Sequence, residues 1–238
     1  MKSAQHPIEA ICMATDSKGR QTRGDKELTQ MILYYAPGAC SLAPHIALEE
    51  VGVPFETARI DLAKSEQLSD DYRTLNPRGR VPILVLDHHV ITEVPALLTF
   101  IAGLNPEAGL VPPAGTLAHA RCFEWLGFLS STVHVAYAQF RRPERFVPAD
   151  SPHADPVSDH GKEICIALWK EIDQRLGAQW AAGDQYSIAD PYLLPFYTWK
   201  WRLDLDGPRD LPNWTAWVER MTDRPAVQRA LATEGWSL

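Results

Sequence analysis

A single thiol, Cys40, sits where chemistry would be expected. It lies between an apolar and aromatic run, Met31-Ile32-Leu33-Tyr34-Tyr35, and a helical run from Leu42 to Val51. The first run reads as a buried strand, and Ala36-Pro37-Gly38-Ala39 as a turn. Pro44 falls in the first turn of the helix, where a missing N–H does least harm. A sulfur at a helix start faces unpaired backbone N–H groups and the positive end of the helix dipole, and both favour the thiolate. The expected chemistry is therefore that of a thiol nucleophile at neutral pH. The plainer reading of Cys40 is a small buried hydrophobe.

The other reactive residue types make no comparable group. His88-His89 falls at a predicted tight turn, no H-E-x-x-H or Cys/His cluster occurs, and no metal site is expected. His45, inside the first helix, reads as structural. Cys12, Cys40, Cys122 and Cys165 are far apart in sequence and form no C-x-x-C pair, so a secreted disulfide framework is not indicated. Reduced thiols in a cytoplasmic protein are the simpler expectation.

The elements that must position Cys40 alternate from 31 to about 103. After the first strand and helix, 55–60 reads as a strand, 65–73 as a short helix and 76–79 as a turn. The segment 83–86 reads as a strand, 89–91 as its hairpin partner and 93–102 as a helix. This order suggests a small mixed sheet with helices packed on it. Gly and Pro accumulate from 104 to 115, a linker signature. All 8 tryptophans lie beyond it. There 117–141 reads as one long helix with an apolar stripe of Phe123, Leu126, Val133, Tyr137 and Phe140. A second helix spans 157–177. Ser187 and Asp190 open a third, which Pro191 and Pro195 should bend or interrupt. Shorter helices at 213–221 and 225–232 follow. The tryptophans read mostly as core, with Trp199 a candidate wall for an apolar pocket. Residues 1–30 read as a disordered or loosely attached tail, with Met31 an alternative candidate for the translation start.

Composition narrows the function. The chain has 238 residues, 45% hydrophobic and 22% charged, an ordinary soluble mix. A net charge of −7 disfavours a nucleic-acid binder, which needs a basic face. No apolar run approaches a membrane span.

Several motifs resemble one family. Tyr34-Tyr35-Ala36-Pro37-Gly38-Ala39-Cys40-Ser41 with the helix after it, Asn76-Pro77-Arg78-Gly79-Arg80-Val81-Pro82, Thr92-Glu93, Glu124-Trp125-Leu126 with His134, and Ser187-Ile188-Ala189-Asp190 occur in the order found in bacterial beta-class glutathione transferases. The resemblance covers about 31–238. It implies an α/β thioredoxin-like N-terminal domain over 31–107 and an all-α C-terminal domain over 115–238. It also implies a homodimer with glutathione as co-substrate and no metal. Carried over residue by residue, Cys40 and His134 are the catalytic pair. Cys40 meets the glutathione sulfur, as hydrogen-bond partner or through a mixed disulfide. Tyr35, Lys64, Arg80, Val81, Pro82, Glu93 and Val94 are the implied glutathione-binding residues. Pro82 would be cis and present the Val81 backbone to the cysteinyl part of the peptide. Glu93 and the Val94 N–H would hold the γ-glutamyl end. Arg80 and Lys64 would add charge for the glycyl carboxylate, Lys64 only with a one-residue gap in the match.

The chain also departs from that pattern. Val94 stands where Gly or Ser is usual, Gly127 where the family has Asn, and Val135 where it has Lys. His134 lies seven residues after Gly127, so regular helical spacing puts both on one face with Glu124, Ser131 and Ala138, looking into the interdomain cleft. Three functions stay open: conjugation of glutathione to small hydrophobic electrophiles, monothiol glutathione-dependent disulfide exchange or peroxidase chemistry through Cys40, and a non-catalytic binding or regulatory protein. Ala43 stands where a second cysteine would sit, which argues against a dithiol cycle.

Overall fold

The structure is a computed structural model and describes residues 30–177 and 179–236. The expected tail at 1–30, apart from Gln30, lies outside the described residues.

The N-terminal half is built on a four-stranded sheet in the order β2-β1-β3-β4, with β1 Met31–Tyr35, β2 Glu56–Arg59, β3 Ile83–Leu86 and β4 His89–Thr92. β1 runs parallel to β2 and antiparallel to β3, and β3 pairs antiparallel with β4. Every β1 residue is buried, which is why it reads as a continuous apolar run. The two-residue side-chain period splits it between two cores. Met31, Leu33 and Tyr35 join the core shared with the C-terminal half, whereas Ile32 and Tyr34 pack with Ile83, Val85 and Tyr72. The helices here are α1 Leu42–Val51, α2 Asp70–Leu75 and α3 Val94–Leu104. The predicted helix at 65–73 is a 3-10 turn, Glu66–Leu68, followed by α2, because the Ser69 hydroxyl accepts from the Tyr72 N–H at 3.2 Å and starts a new cap.

The C-terminal half is helical: α4 Leu117–Phe128, α5 His134–Arg141, α6 Ala154–Arg175, α7 Ala189–Thr198, α8 Gly207–Asp210, α9 Pro212–Thr222 and α10 Pro225–Glu234. The long helix expected over 117–141 is therefore not regular. A π-helical turn, Leu129–Val133, separates α4 from α5. Hydroxyls fill the hydrogen bonds that the wider turn disturbs: Ser130 donates to the Leu126 carbonyl at 2.8 Å and Ser131 to that of Gly127 at 2.7 Å. The extra residue shifts the helical phase between α4 and α5, so residues before and after the turn no longer share the faces that regular spacing predicts. Of the predicted stripe, Leu126, Val133 and Tyr137 are buried, with Cys122, Trp125 and Leu129 beside them, Phe140 is half-buried and Phe123 is exposed.

α7 runs through both prolines without a break and is buried along its whole length. Pro191 sits in the first turn, where it costs little. The helix ends three residues after Pro195, passing into a 3-10 turn, Trp199–Leu203. Its start is fixed by Asp190, whose carboxylate accepts from the Ser187 N–H at 2.8 Å, the Ala181 N–H at 2.9 Å and the Trp217 indole at 3.3 Å. Burial pushes the Asp190 carboxyl up to about 6, against these hydrogen bonds.

α1 carries most of the joint between the halves. It packs on α3, α7 and α10. Arg224 grips Glu50 with two hydrogen bonds, at 2.7 and 3.1 Å. His45 and Glu234, both fully buried side chains, meet at 3.0 Å. The structural reading of His45 thus acquires a partner from the far end of the chain.

Candidate active site

A cleft of about 810 Å³ opens between the two halves. Its N-terminal wall is the Pro37–Cys40 turn, the loop ending in Arg80, Val81 and Pro82, and the start of α3. Its C-terminal wall comes from the π-helical turn, α5, α7 and Trp199.

The turn ahead of Cys40 is braced from several sides. The Ser41 hydroxyl accepts from the Ala36 N–H and donates to the Ala36 carbonyl, both at 3.1 Å. Gly38 has φ 68°, and a Cβ there would lie 2.8 Å from the Trp236 ring, so both conformation and space require glycine. The Trp199 indole donates to the Gly38 carbonyl at 2.8 Å. Held this way, Cys40 places Sγ 3.6 Å from the Val81 carbonyl, to which it donates.

That geometry corrects the expected thiolate. The sulfur is buried, and burial pushes the thiol up to about 12. Glu93 and Glu234 add to the rise, while its own backbone N–H and Arg80 oppose it. Desolvation outweighs the helix start, so the free site holds a protonated thiol.

The facing loop is organised by Asn76. Its side chain donates to the Arg80 carbonyl at 2.8 Å and accepts from the Arg78 N–H at 3.2 Å, and the Tyr72 hydroxyl also donates to the Arg80 carbonyl, at 2.8 Å. The Val81–Pro82 peptide bond is cis. Across the cleft mouth, Glu93 precedes α3 with φ 69°, a left-handed conformation that costs a residue with a Cβ roughly 1–3 kcal/mol. Its carboxylate is exposed and pairs with Arg78 at 3.2 Å. Val94 follows as the first residue of the helix and is buried.

His134 approaches from the other wall. Its ring lies edge-on to Phe196 at 5.5 Å and tilted over Trp199 at 5.6 Å. Burial, followed by the charges of Arg145 and Arg80, pushes its pKa down to about 4, so the imidazole is neutral at physiological pH.

The fold thus gathers Cys40, Arg80, Val81, Pro82, Glu93, Val94 and His134 around one cleft. Two predicted residues stand apart. Tyr35 is buried, and its hydroxyl donates to the Thr233 carbonyl at 3.5 Å on α10. Lys64 is 74% exposed and pairs with Asp61 at 3.2 Å, although Leu62 and Ala63 beside it line the cleft. Gly127 and Glu124 do not line it either. Glu124 turns to Arg121 and to Arg175 of α6. The π-helical turn is the reason: the cleft face runs through Ser130, His134, Ala138 and Arg141. Arg141, Arg142, Arg145 and Arg202 also line the cleft and were not anticipated. Their signal in the sequence is the run Arg141-Arg142-Pro143-Glu144-Arg145, three guanidiniums within five residues. Trp199 does line the cleft, as its candidate role required.

Known proteins share both the sequence and the fold. Residues 38–104 match the family description "Glutathione S-transferase, N-terminal domain" and 163–225 match "Glutathione S-transferase, C-terminal domain". Glutathione S-transferase GstA of Escherichia coli O157:H7 is 34% identical over 212 residues, covering 86% of this chain and 99% of the relative. Among solved structures, a glutathione transferase homologue from Sulfitobacter with bound glutathione superposes with a TM-score of 0.80 at 33% identity, over 87% of this chain and 99% of the other. The bacterial beta-class glutathione S-transferase of Sphingomonas chungbukensis does so at 0.73 and 37%, over 87% and 100%. With its α/β sheet half, its helical half and the cleft between them, the chain belongs to the glutathione S-transferase family and resembles its bacterial beta-class members.

Proposed function

We propose that this chain is a glutathione transferase that conjugates the glutathione thiolate to small hydrophobic electrophiles. The observation that carries this reading is the convergence of the Cys40 thiol, the Val81 backbone and the start of α3 on one cleft. The Val81 backbone offers strand-like pairing to the peptide. The N-terminus of α3 and Glu93 offer the γ-glutamyl group a positive helix end for its carboxylate and an acceptor for its ammonium. The glutathione sulfur then lies beside Cys40. The bound thiol gives its proton to solvent, and the thiolate attacks the electrophilic carbon. For an aryl halide the C–S bond forms, the C–halogen bond breaks and halide leaves with the electron pair. Lowering the thiol pKa and holding both reactants together supply the acceleration.

Monothiol exchange through Cys40 is the second reading. The buried, protonated state of Cys40 favours the first, because an S–H is a donor to a neighbouring thiolate and not itself the nucleophile. A homodimer and a cytoplasmic location accompany the proposal. Among the described residues no helix is long and apolar enough to cross a membrane.

Cys40→Ala separates the readings. Under conjugation the variant keeps measurable turnover of an aryl halide, lowered about 10–100-fold by loss of one hydrogen bond to a charged sulfur, about 1.5–3 kcal/mol. Disulfide reductase activity should be absent from both proteins. Strong reductase activity in the parent, abolished in the variant, would instead favour exchange. Failure to be retained on immobilised glutathione, together with no turnover, would leave only a binder of some other ligand.

A further inference from the structure

The C-terminal wall of the cleft has an unusual composition. Its floor is aromatic: the largely buried Tyr137 and Trp199 both line the cleft and stack on each other, with ring centroids 4.3 Å apart and 18° between the planes. Its rim is cationic, formed by Arg141, Arg142, Arg145 and Arg202, with Arg80 opposite. Among the described residues lining the cleft Glu93 is the one carboxylate, and Arg78 already holds it.

The rim is poorly neutralised. Among the described residues, Arg80, Arg141, Arg145 and Arg202 have no carboxylate within ion-pair distance, and Arg142 has only Glu144, at 4.0 Å. The Arg145 guanidinium is pushed down by burial and then by the charges of Arg80 and Arg142. Arg202 donates to the Tyr137 hydroxyl at 2.7 Å, while its buried Nε has no partner. A chain of net charge −7 thus concentrates like charge in one concave site. Walls of low dielectric strengthen that field, and the arrangement is favourable when an anion enters.

We propose that the co-substrate half of the cleft selects an anionic acceptor, a flat aromatic body bearing a carboxylate, whose ring lies against the cleft-lining edge of the Tyr137–Trp199 pair while Arg141 and Arg145 meet its acid group. The proposal rests on the conjugation reading for the chemical step after binding, since it names the acceptor class of that reaction. The binding itself stands on the cleft alone. Guanidiniums suit this task because their planar fork matches a carboxylate with two parallel hydrogen bonds.

The test uses the full chain and two isosteric probes, 4-chloro-3-nitrobenzoate and 4-chloro-3-nitrobenzamide. Calorimetric titration without glutathione should show the acid bound at least about tenfold more tightly than the amide at low salt, with the preference shrinking as salt screens the rim. The double variant Arg141→Gln, Arg145→Gln should bring the preference close to unity. Arg209→Gln, whose guanidinium pairs with Asp210 and does not line the cleft, should retain it. Equal binding of acid and amide by the parent, or an undiminished preference in the double variant, would overturn the proposal. Turnover with glutathione is read separately. Acid preference without conjugation of either probe would sink the enzymatic reading and leave this subsite standing, and conjugation without acid preference would do the reverse.

Discussion

The Trp199 indole reaches across the cleft to the Gly38 carbonyl, 161 residues earlier in the chain and two residues before Cys40. One hydrogen bond of 2.8 Å thus ties the co-substrate wall to the loop that presents the thiol. Trp199→Phe keeps most of the ring and deletes the donor. The urea midpoint should fall by an amount corresponding to about 1 kcal/mol, with the m-value unchanged. Conjugation should fall further than stability does. Full turnover in the variant would mean that the loop holds its shape without this tie.

Cys40 should resist alkylation at neutral pH. With its pKa pushed up to about 12, the thiolate fraction is small, and the iodoacetamide rate at this residue, followed by peptide mapping, should still be climbing above about pH 9. A plateau before that would show a thiol activated as the helix start alone would have it.

His134 should titrate near about 4 in an NMR experiment on its ring. An unfolded histidine takes up its proton near about 6.5, so between these values the unfolded chain binds more protons at this site. Folding stability from His134 is therefore complete above about pH 6.5 and declines as pH falls toward 4. His134→Asn should lose less stability than the parent between pH 7.5 and 5. Because the imidazole is already neutral, no inflection near 6.5 in the rate profile should trace to it.

α5 and α6 come close together at Gly161. A Cβ there would lie 2.6 Å from the Phe140 backbone nitrogen. That contact is with backbone, which cannot rotate aside, so Gly161→Ala should cost about 1–3 kcal/mol in a denaturant melt. A neutral result would show that the two helices slide apart at little cost.

Local chemistry explains which parts were readable from sequence. β1 is legible because it is apolar throughout, and the β3–β4 turn because Asp87-His88 interrupts two apolar runs. The Ser187–Asp190 start of α7 is legible because its residue types cap helices. The site wall carrying Cys40, Arg80, Val81, Pro82, Glu93 and Val94 follows from motifs along short stretches of chain. What stayed hidden depends on contacts distant in sequence. The sign of the Cys40 shift is set by burial in the folded protein, where Sγ meets the Val81 carbonyl 41 residues away. The partnership of His45 with Glu234 joins residues 189 apart. The arginine rim needs α5 placed opposite the sheet before Arg141 and Arg145 acquire a shared purpose. Gly161 reads as a poor helix former until Phe140 is seen against it.

The π-helical turn acts as a rotary setting on everything after it. Removing one residue from Leu129–Val133 would let α4 and α5 fuse into one regular rod. Each residue contributes about 100° of rotation and the wider turn absorbs one of them, so that deletion would leave His134 and Arg141 facing the cavity, whereas tightening the turn at full length would swing them roughly a quarter-turn away. A lineage could therefore re-aim one wall of the cavity by substitutions that tighten this turn, without altering any residue downstream of it.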